Sequence, residues 1–294
     1  MAGYRHGGSN HMVKITYVWH DCFVVETESA VLVFDYWLDV GGRPSTVPGV
    51  LRSAGTDKPI YVLVSHGHKD HYNPSVFLWA SEFRDVRYVV SRDVMKRIRH
   101  VVSETSVYSG PKVDPGRVTA LRPGECFSAG GVVIAAFRST DIGNSYVVEA
   151  DGRRFFHAGD LNAWIWKDES TETEIRKSLG DYRACLRDIR SYLERAADAG
   201  SVAGMAIDYC FFPVDSRIGT DYFTGASIFV REFEVRKFFP MHFALGDEEE
   251  RNRRREDVLR FGLYAYPGRG EYIPLALSGS VYIDASVRPG EVEM

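Results

Sequence analysis

The 294-residue chain is poor in cysteine and never pairs it: Cys22, Cys126, Cys185 and Cys210 stand far apart and form no Cys-x-x-Cys. They read as buried free thiols of a reducing compartment. No apolar run approaches the ~20 residues of a membrane span. Residues 1–12 are polar and Gly- and His-containing, without the apolar core of a signal peptide. They read as a flexible leader or a cloning scar, with Met12 as natural start, and the cytoplasm is the expected location. Neither sign of charge dominates: the net charge is -4 and the pI about 6.2. That balance gives no general electrostatic reason to bind nucleic acid, although a local basic patch stays compatible with it. No Gly-x-x-x-x-Gly-Lys loop occurs, which argues against ATP-driven chemistry.

What the chain does have is enough apolar content, 45%, for one large core. No composition shift divides it, so residues 13–294 read as a single domain. Its most informative stretch is 61–74. The apolar run 60–64 reads as a short buried strand that delivers His66, His68, Asp70 and His71 into a loop before a helix start at Asn73-Pro74. His-x-His sets two imidazoles on one side of an extended segment, where they can grip one ion. Asp70 and His71 come at the turn and can face a second ion close by. Imidazole with carboxylate suits zinc, iron or manganese.

His66-x-His68-x-Asp70-His71 resembles the signature of the metallo-β-lactamase superfamily of metallohydrolases. Leu32-Val-Phe-Asp35, Arg122-Pro-Gly-Glu125, His157-Ala-Gly-Asp160 and Pro240-Met-His242 follow the same pattern in the same order. The resemblance covers most of residues 13–245. It implies an α/β fold, a four-layer αββα sandwich, and two divalent ions (zinc, manganese or iron). His66 and His68 would serve the first, Asp70, His71 and His242 the second, and Asp160 would bridge them. Asp35 would support a ligand from outside the metal sphere, as a carboxylate beside an imidazole N–H does. One position departs from the pattern. The loop before the Tyr146-Val-Val strand usually supplies a third His, and here Asp141 stands there. Either Asp141 is itself a ligand, making a harder site that favours manganese or iron over zinc, or the first site is weakened and one ion binds firmly.

Elsewhere the pattern predicts strands at 13–18, 22–27 and 30–34 as an antiparallel meander, a loop over 41–59, and a βαβ rhythm from 60 to about 100. Asp151-Gly152 marks a two-residue hairpin turn. Thr171-x-x-Glu174 is a capping box opening an amphipathic helix that runs to Gly200, with an interruption at Gly180-Asp181 allowed. This helical insertion, about 164–200, reads as a wall or lid of the site, an ordinary packing helix or a partner surface. A strand at 205–214 leads to Arg217, a candidate to grip a substrate phosphate or carboxylate, or simply one half of a salt bridge. His157 reads as an outer partner or a pocket group. A helix at 224–233, a strand at 235–241, a charged helical face at 247–257 and closing strands in the tail complete the chain.

The chemistry expected is hydrolysis of a small-molecule ester, lactone or phosphate ester, carried by Asp70, Asp160 and the ions. The post-Asp160 segment resembles the branch containing ascorbate-6-phosphate lactonase. A nuclease or phosphodiesterase of the same fold, and a non-catalytic binding protein retaining it, are the alternatives. The expected partner is a small molecule, without a membrane; a homo-oligomer is compatible with the sequence.

Overall fold

The computed structural model describes residues 12–54, 57–110, 112–201 and 203–285. Two seven-stranded sheets face each other. The first holds β1 (Val13–Trp19), β2 (Cys22–Glu26), β3 (Val31–Phe34), β4 (Ile60–Val64), β5 (Val86–Ser91) and β6 (Val118–Leu121), with β14 (Val281–Asp284) added beside β1. The second runs in chain order from β7 (Cys126–Ala129), β8 (Val132–Arg138), β9 (Asn144–Ala150) and β10 (Arg153–His157) to β11 (Ile207–Pro213), β12 (Val235–Met241) and β13 (Glu271–Tyr272). Each sheet is half antiparallel meander and half parallel. Pairing turns parallel at β3–β4 in the first and at β10–β11 in the second. Parallel strands need crossovers, and the helices supply them. They are α1 (Gly49–Ala54), α2 (Trp79–Glu82), α3 (Arg92–Val102), α4 (Glu172–Asp198), α5 (Thr224–Glu232) and α6 (Glu248–Tyr264).

Period-2 alternation builds the layers. On β11, Phe211 points to the first sheet, against Phe23 and Phe34, whereas Phe212 points outward to Phe229 of α5 and Tyr182 of α4. On the first sheet, Phe34 and Leu63 enter the shared core while Val33, Val62 and Val64 face Val94 and Ile98 of α3. The result is the expected helix–sheet–sheet–helix order. Burial of these faces is the main favourable term, at roughly 25 cal/mol for each Å² removed from water.

Local readings hold in most places. Asp151 and Gly152 both take positive φ, +47° and +68°, as a type I′ hairpin requires. Thr171 and Glu174 form the reciprocal capping box. Two details differ. Residues 41–59 contain the short helix α1, and the helix start at Asn73-Pro74 is a 3₁₀ turn, Pro74–Leu78, that passes into α2.

Candidate metal centre

The site forms along one rim, where the parallel strands of both sheets end. β3 ends in Asp35, β4 in Ser65 and the 66–71 loop, β10 in the 157–160 loop, β11 in Asp215 and β12 in His242. The β1–β2 turn adds His20 and Asp21. Three of these residues, His20, Asp35 and His242, hold positive φ without being glycine. Such strain persists where the surroundings over-determine it, and it clusters at functional sites.

The two sheets meet closely here. Asn144 N–H donates to the Ser65 carbonyl at 2.9 Å, and Tyr146 Oη donates to the Val64 carbonyl at 3.0 Å. Gly143 permits this approach: at φ +79°, a Cβ would stand 2.2 Å from the Ser65 carbonyl oxygen. Gly159 does the same for the Asp160 loop, where a Cβ would meet Ser65 Cβ and the Asn144 carbonyl at 2.8 Å.

Asp160 lies at the centre. Its Oδ2 is 3.2 Å from His66 Nε2, while its Oδ1 is 3.0 Å from His71 Nε2 and 3.1 Å from His242 Nε2. One carboxylate oxygen therefore serves each half of the site. The first half gathers His66, His68, Asp141 and Asp160. The second gathers His71, His242 and Asp160 with Asp21, and an overlapping set joins His20 and Asp70 to the same two histidines. Asp141 is 3.7 Å from His68 Nδ1, and both of these side chains are nearly half exposed.

The hydrogen-bond partners set the tautomers. Asp35 Oδ2 accepts from His71 Nδ1 at 2.9 Å and from Ser65 Oγ at 2.5 Å; Ser65 Oγ in turn accepts from His66 Nδ1 at 2.9 Å. Asp215 Oδ2 accepts from His242 Nδ1 at 2.9 Å. With Nδ1 donating in all three rings, the neutral imidazole presents a bare Nε2 to the centre, the form that binds a metal. His20 is the reverse. Its Nδ1 accepts from Ala244 N–H at 3.1 Å, so Nε2 carries the proton and faces Asp21 and Asp70 at 3.3 and 3.6 Å. Burial, with His242 adding, lowers the His20 pKa to about 3 and keeps the ring neutral.

His157 has no free nitrogen. Its Nε2 donates to the Asp21 carbonyl at 2.9 Å, its Nδ1 accepts from Gly159 N–H at 3.2 Å, and its ring stacks on Phe34. It is a strut for the β1–β2 turn. Arg217 spends its fork on Asp215, with Nε 2.9 Å from both oxygens and Nη2 2.5 Å from Oδ2. Of the two readings of Arg217, the salt bridge is the one formed, and it braces the carboxylate that orients His242. The α4 helix packs Tyr182, Leu186, Ile189 and Leu193 into the core without a break at Gly180. Its approach segment reaches the site instead: Trp164 Nε1 donates to the Asp160 carbonyl at 2.7 Å and its ring stands 5.6 Å from that of His242.

Four residues here escape sequence reasoning: His20, Asp21, Ser65 and Asp215. A signal existed for the first pair. A two-residue hairpin turn normally carries Asn-Gly or Asp-Gly, and His-Asp in that place is unusual enough to mark.

The electrostatics describe a cavity shaped for cations. Burial would raise the Asp160 carboxyl, but His71 and His242 outweigh it and hold it well below the usual range. Burial would lower His71 and His242, yet Asp160 and Asp21 lift both well above the ordinary imidazole value. Burial pushes Asp21 up to about 7. Buried polar atoms are normally hydrogen-bonded. Here Nε2 of His20, His66, His71 and His242, Oδ1 of Asp160 and both oxygens of Asp21 are buried without such a partner. Orphans of that kind, converging from imidazoles and carboxylates, fit divalent metal ions.

Two facing mixed sheets with helices outside, and a His/Asp centre on the rim where they end, define a metallo-β-lactamase fold. The model of the beta-lactamase superfamily domain matches residues 31–243, and the chain belongs to that family. A "UPF0173 metal-dependent hydrolase" from Cereibacter sphaeroides is 29% identical over 158 residues, which span 51% of this chain and 64% of that relative's length. Among solved structures, the metallo hydrolase Igni18 of the archaeon Ignicoccus hospitalis superposes with a TM-score of 0.57 at 15% identity, covering 93% of this chain and 98% of the other. CmlA, a diiron beta-hydroxylase from Streptomyces venezuelae, superposes with 0.50 at 16% identity, covering 93% and 53%. None of the described helices is long and apolar enough to cross a membrane.

Proposed function

We propose that the protein is a metal-dependent hydrolase that cleaves an ester, lactone or phosphate ester of a small molecule, using two divalent ions. The observation that carries this reading is the division of Asp160, one oxygen toward His66 and the other toward His71 and His242, amid unpartnered imidazole nitrogens. His66, His68, Asp141 and Asp160 would hold one ion, and His71, His242, Asp70 and Asp160 the other. Bound there, the ions would supply a water activated near neutral pH and would polarise the bond to be cleaved. The chain's part is orientation. Asp35 and Asp215 fix the ring planes of His71 and His242, Ser65 relays the Asp35 brace to His66, and the Trp164 indole walls the second half against solvent. The names of the curated relatives point the same way.

The test is metal content of protein purified without chelator, followed by turnover of ester, lactone and phosphate-ester panels before and after chelation. About two ions per chain, with turnover lost on chelation and restored by one metal, would support the reading. A metal-free protein that takes up no ion would sink it.

A second reading, oxidative chemistry at paired iron ions, draws on the count of carboxylates, Asp21, Asp70, Asp141 and Asp160, around the centre. Oxygen-rich sets favour iron or manganese over zinc, and one structural neighbour of this fold is a diiron hydroxylase. Oxygen consumption by reduced, iron-loaded protein would move this reading forward; indifference to oxygen removes it.

A further inference from the structure

We infer that Asp21 is a fourth carboxylate ligand of the centre, closing the half that contains His71 and His242 and biasing it toward manganese or iron over zinc; this rests on the reading of the site as a metal centre. The resemblance that marks the other ligands assigns nothing to this residue. It stands on the β1–β2 turn, far in sequence from the 66–71 loop.

Position comes first. Asp21 is wholly buried, and neither of its oxygens has a hydrogen-bond partner. Its Oδ2 lies 3.2 Å from His71 Nε2 and 3.8 Å from His242 Nε2, the same two atoms that Asp160 Oδ1 approaches. Each histidine has committed Nδ1 to its own brace, Asp35 or Asp215, so Nε2 is the only ring atom left to face the carboxylates. Asp21, His71, Asp160 and His242 thus offer four donor atoms around one point.

The placement is also held by groups other than an ion. His157 Nε2 donates to the Asp21 carbonyl, and His20 is pinned by Ala244 N–H on Nδ1 while its own carbonyl faces His242 N–H at 3.4 Å. His20 holds φ +57° to make the turn. With its proton on Nε2, His20 does not offer a lone pair to an ion. It orients instead, aiming an N–H between Asp21 and Asp70. A buried carboxylate is costly unless positive or proton-bearing groups face it, and the groups that face this one are Nε2 of His20, His71 and His242, all at the centre. A turn clamped on both sides to hold one against two bare imidazole nitrogens is a preformed ligand.

Charge supports the same assignment. Asp21 adds a fourth carboxylate to Asp70, Asp141 and Asp160 around the centre, with Asp35 and Asp215 as further anions behind His71 and His242, a surplus of negative charge that cations would offset. The harder oxygen donors select manganese or iron.

The test uses the full chain stripped of metal, titrated separately with manganese and zinc by calorimetry, as wild type, Asp21→Asn and Asp21→Ser. Cobalt absorption reads the coordination number. We expect both variants to lose roughly 10- to 100-fold or more in manganese affinity at the tighter site, as loss of even an outer partner does, with a smaller loss for zinc and a cobalt spectrum shifted to lower coordination. Unchanged affinities and an unchanged cobalt spectrum in the variants would overturn the assignment while leaving the hydrolase reading standing. Failure of the wild type to bind any ion would overturn both. Should the variants not fold, the manganese-loaded wild-type crystal decides: an anomalous peak bonded to an Asp21 oxygen supports the assignment, and one without that bond overturns it.

Discussion

The two halves of the centre are built to different standards. Around His71 and His242 every ring is braced by a buried carboxylate, and Arg217 braces one of those carboxylates in turn. Around His68 and Asp141 there is less support: the two side chains are 48% and 47% exposed and 3.7 Å apart, and the Ser139 hydroxyl accepts from the Asp141 backbone N–H. Preorganisation reduces what ordering costs on binding. The braced half should therefore hold its ion tightly, and the exposed half should fill later and exchange faster.

The hardest blow to this asymmetry is Asp160→Asn, since that carboxylate belongs to both halves. Metal stoichiometry should fall below one ion per chain and hydrolysis to background, read by elemental analysis and turnover; retention of two ions would remove Asp160 from the bridging role. Next comes Asp215→Asn, which leaves His242 without its acceptor. Affinity in the braced half should drop about 10- to 100-fold in calorimetric titration, while the exposed half stays as it was. Loss from both halves alike would mean that they are not independent. Sharpening runs the other way. Asp141→His should tighten zinc in the exposed half by roughly tenfold, or about 1.4 kcal/mol, and no change would show that exposure, not donor type, limits that half.

The smallest expected effect is on pH dependence. In metal-free protein His71 and His242 have pKa values raised above the unfolded value of about 6.5 by Asp160 and Asp21. Their contribution to stability is complete below that value and is lost as pH rises through the raised folded values. Asp21, pushed up to about 7, acts in the same direction. His20 and His157, with lowered values, pull the other way only in the acidic range, so metal-free Tm should fall by a few degrees from about pH 7 to alkaline pH, while metal affinity climbs because binding displaces those protons. A metal-free Tm that rises over this range would contradict the arrangement.

How much of this the sequence showed depends on how local each signal is. His66, His68, Asp70 and His71 are legible because one strand end carries them all. Asp160 and His242 close their own strands, with motifs of their own. His20 and Asp21 carry no periodicity; they matter only because β12 ends beside their turn, 222 residues from His20. Asp215 was visible as a neighbour of Arg217, but its partner His242 comes from the adjacent strand. The continuous α4 shows a weaker local signal losing to packing. Gly180 costs about 1 kcal/mol in a helix, and the buried face of Tyr182, Leu186, Ile189 and Leu193 outweighs it.

The clamp on the β1–β2 turn also has a meaning in time. His20 is among the first residues of the fold to be synthesised, yet the N–H that fixes its tautomer belongs to Ala244. His242 lies two residues earlier on the same late segment. A nascent chain can present His66, His68 and Asp160 long before the braced half exists, and contacts of such sequence separation form slowly. Assembly of the tight half thus waits for β12, long after the ligands of the other half have been made.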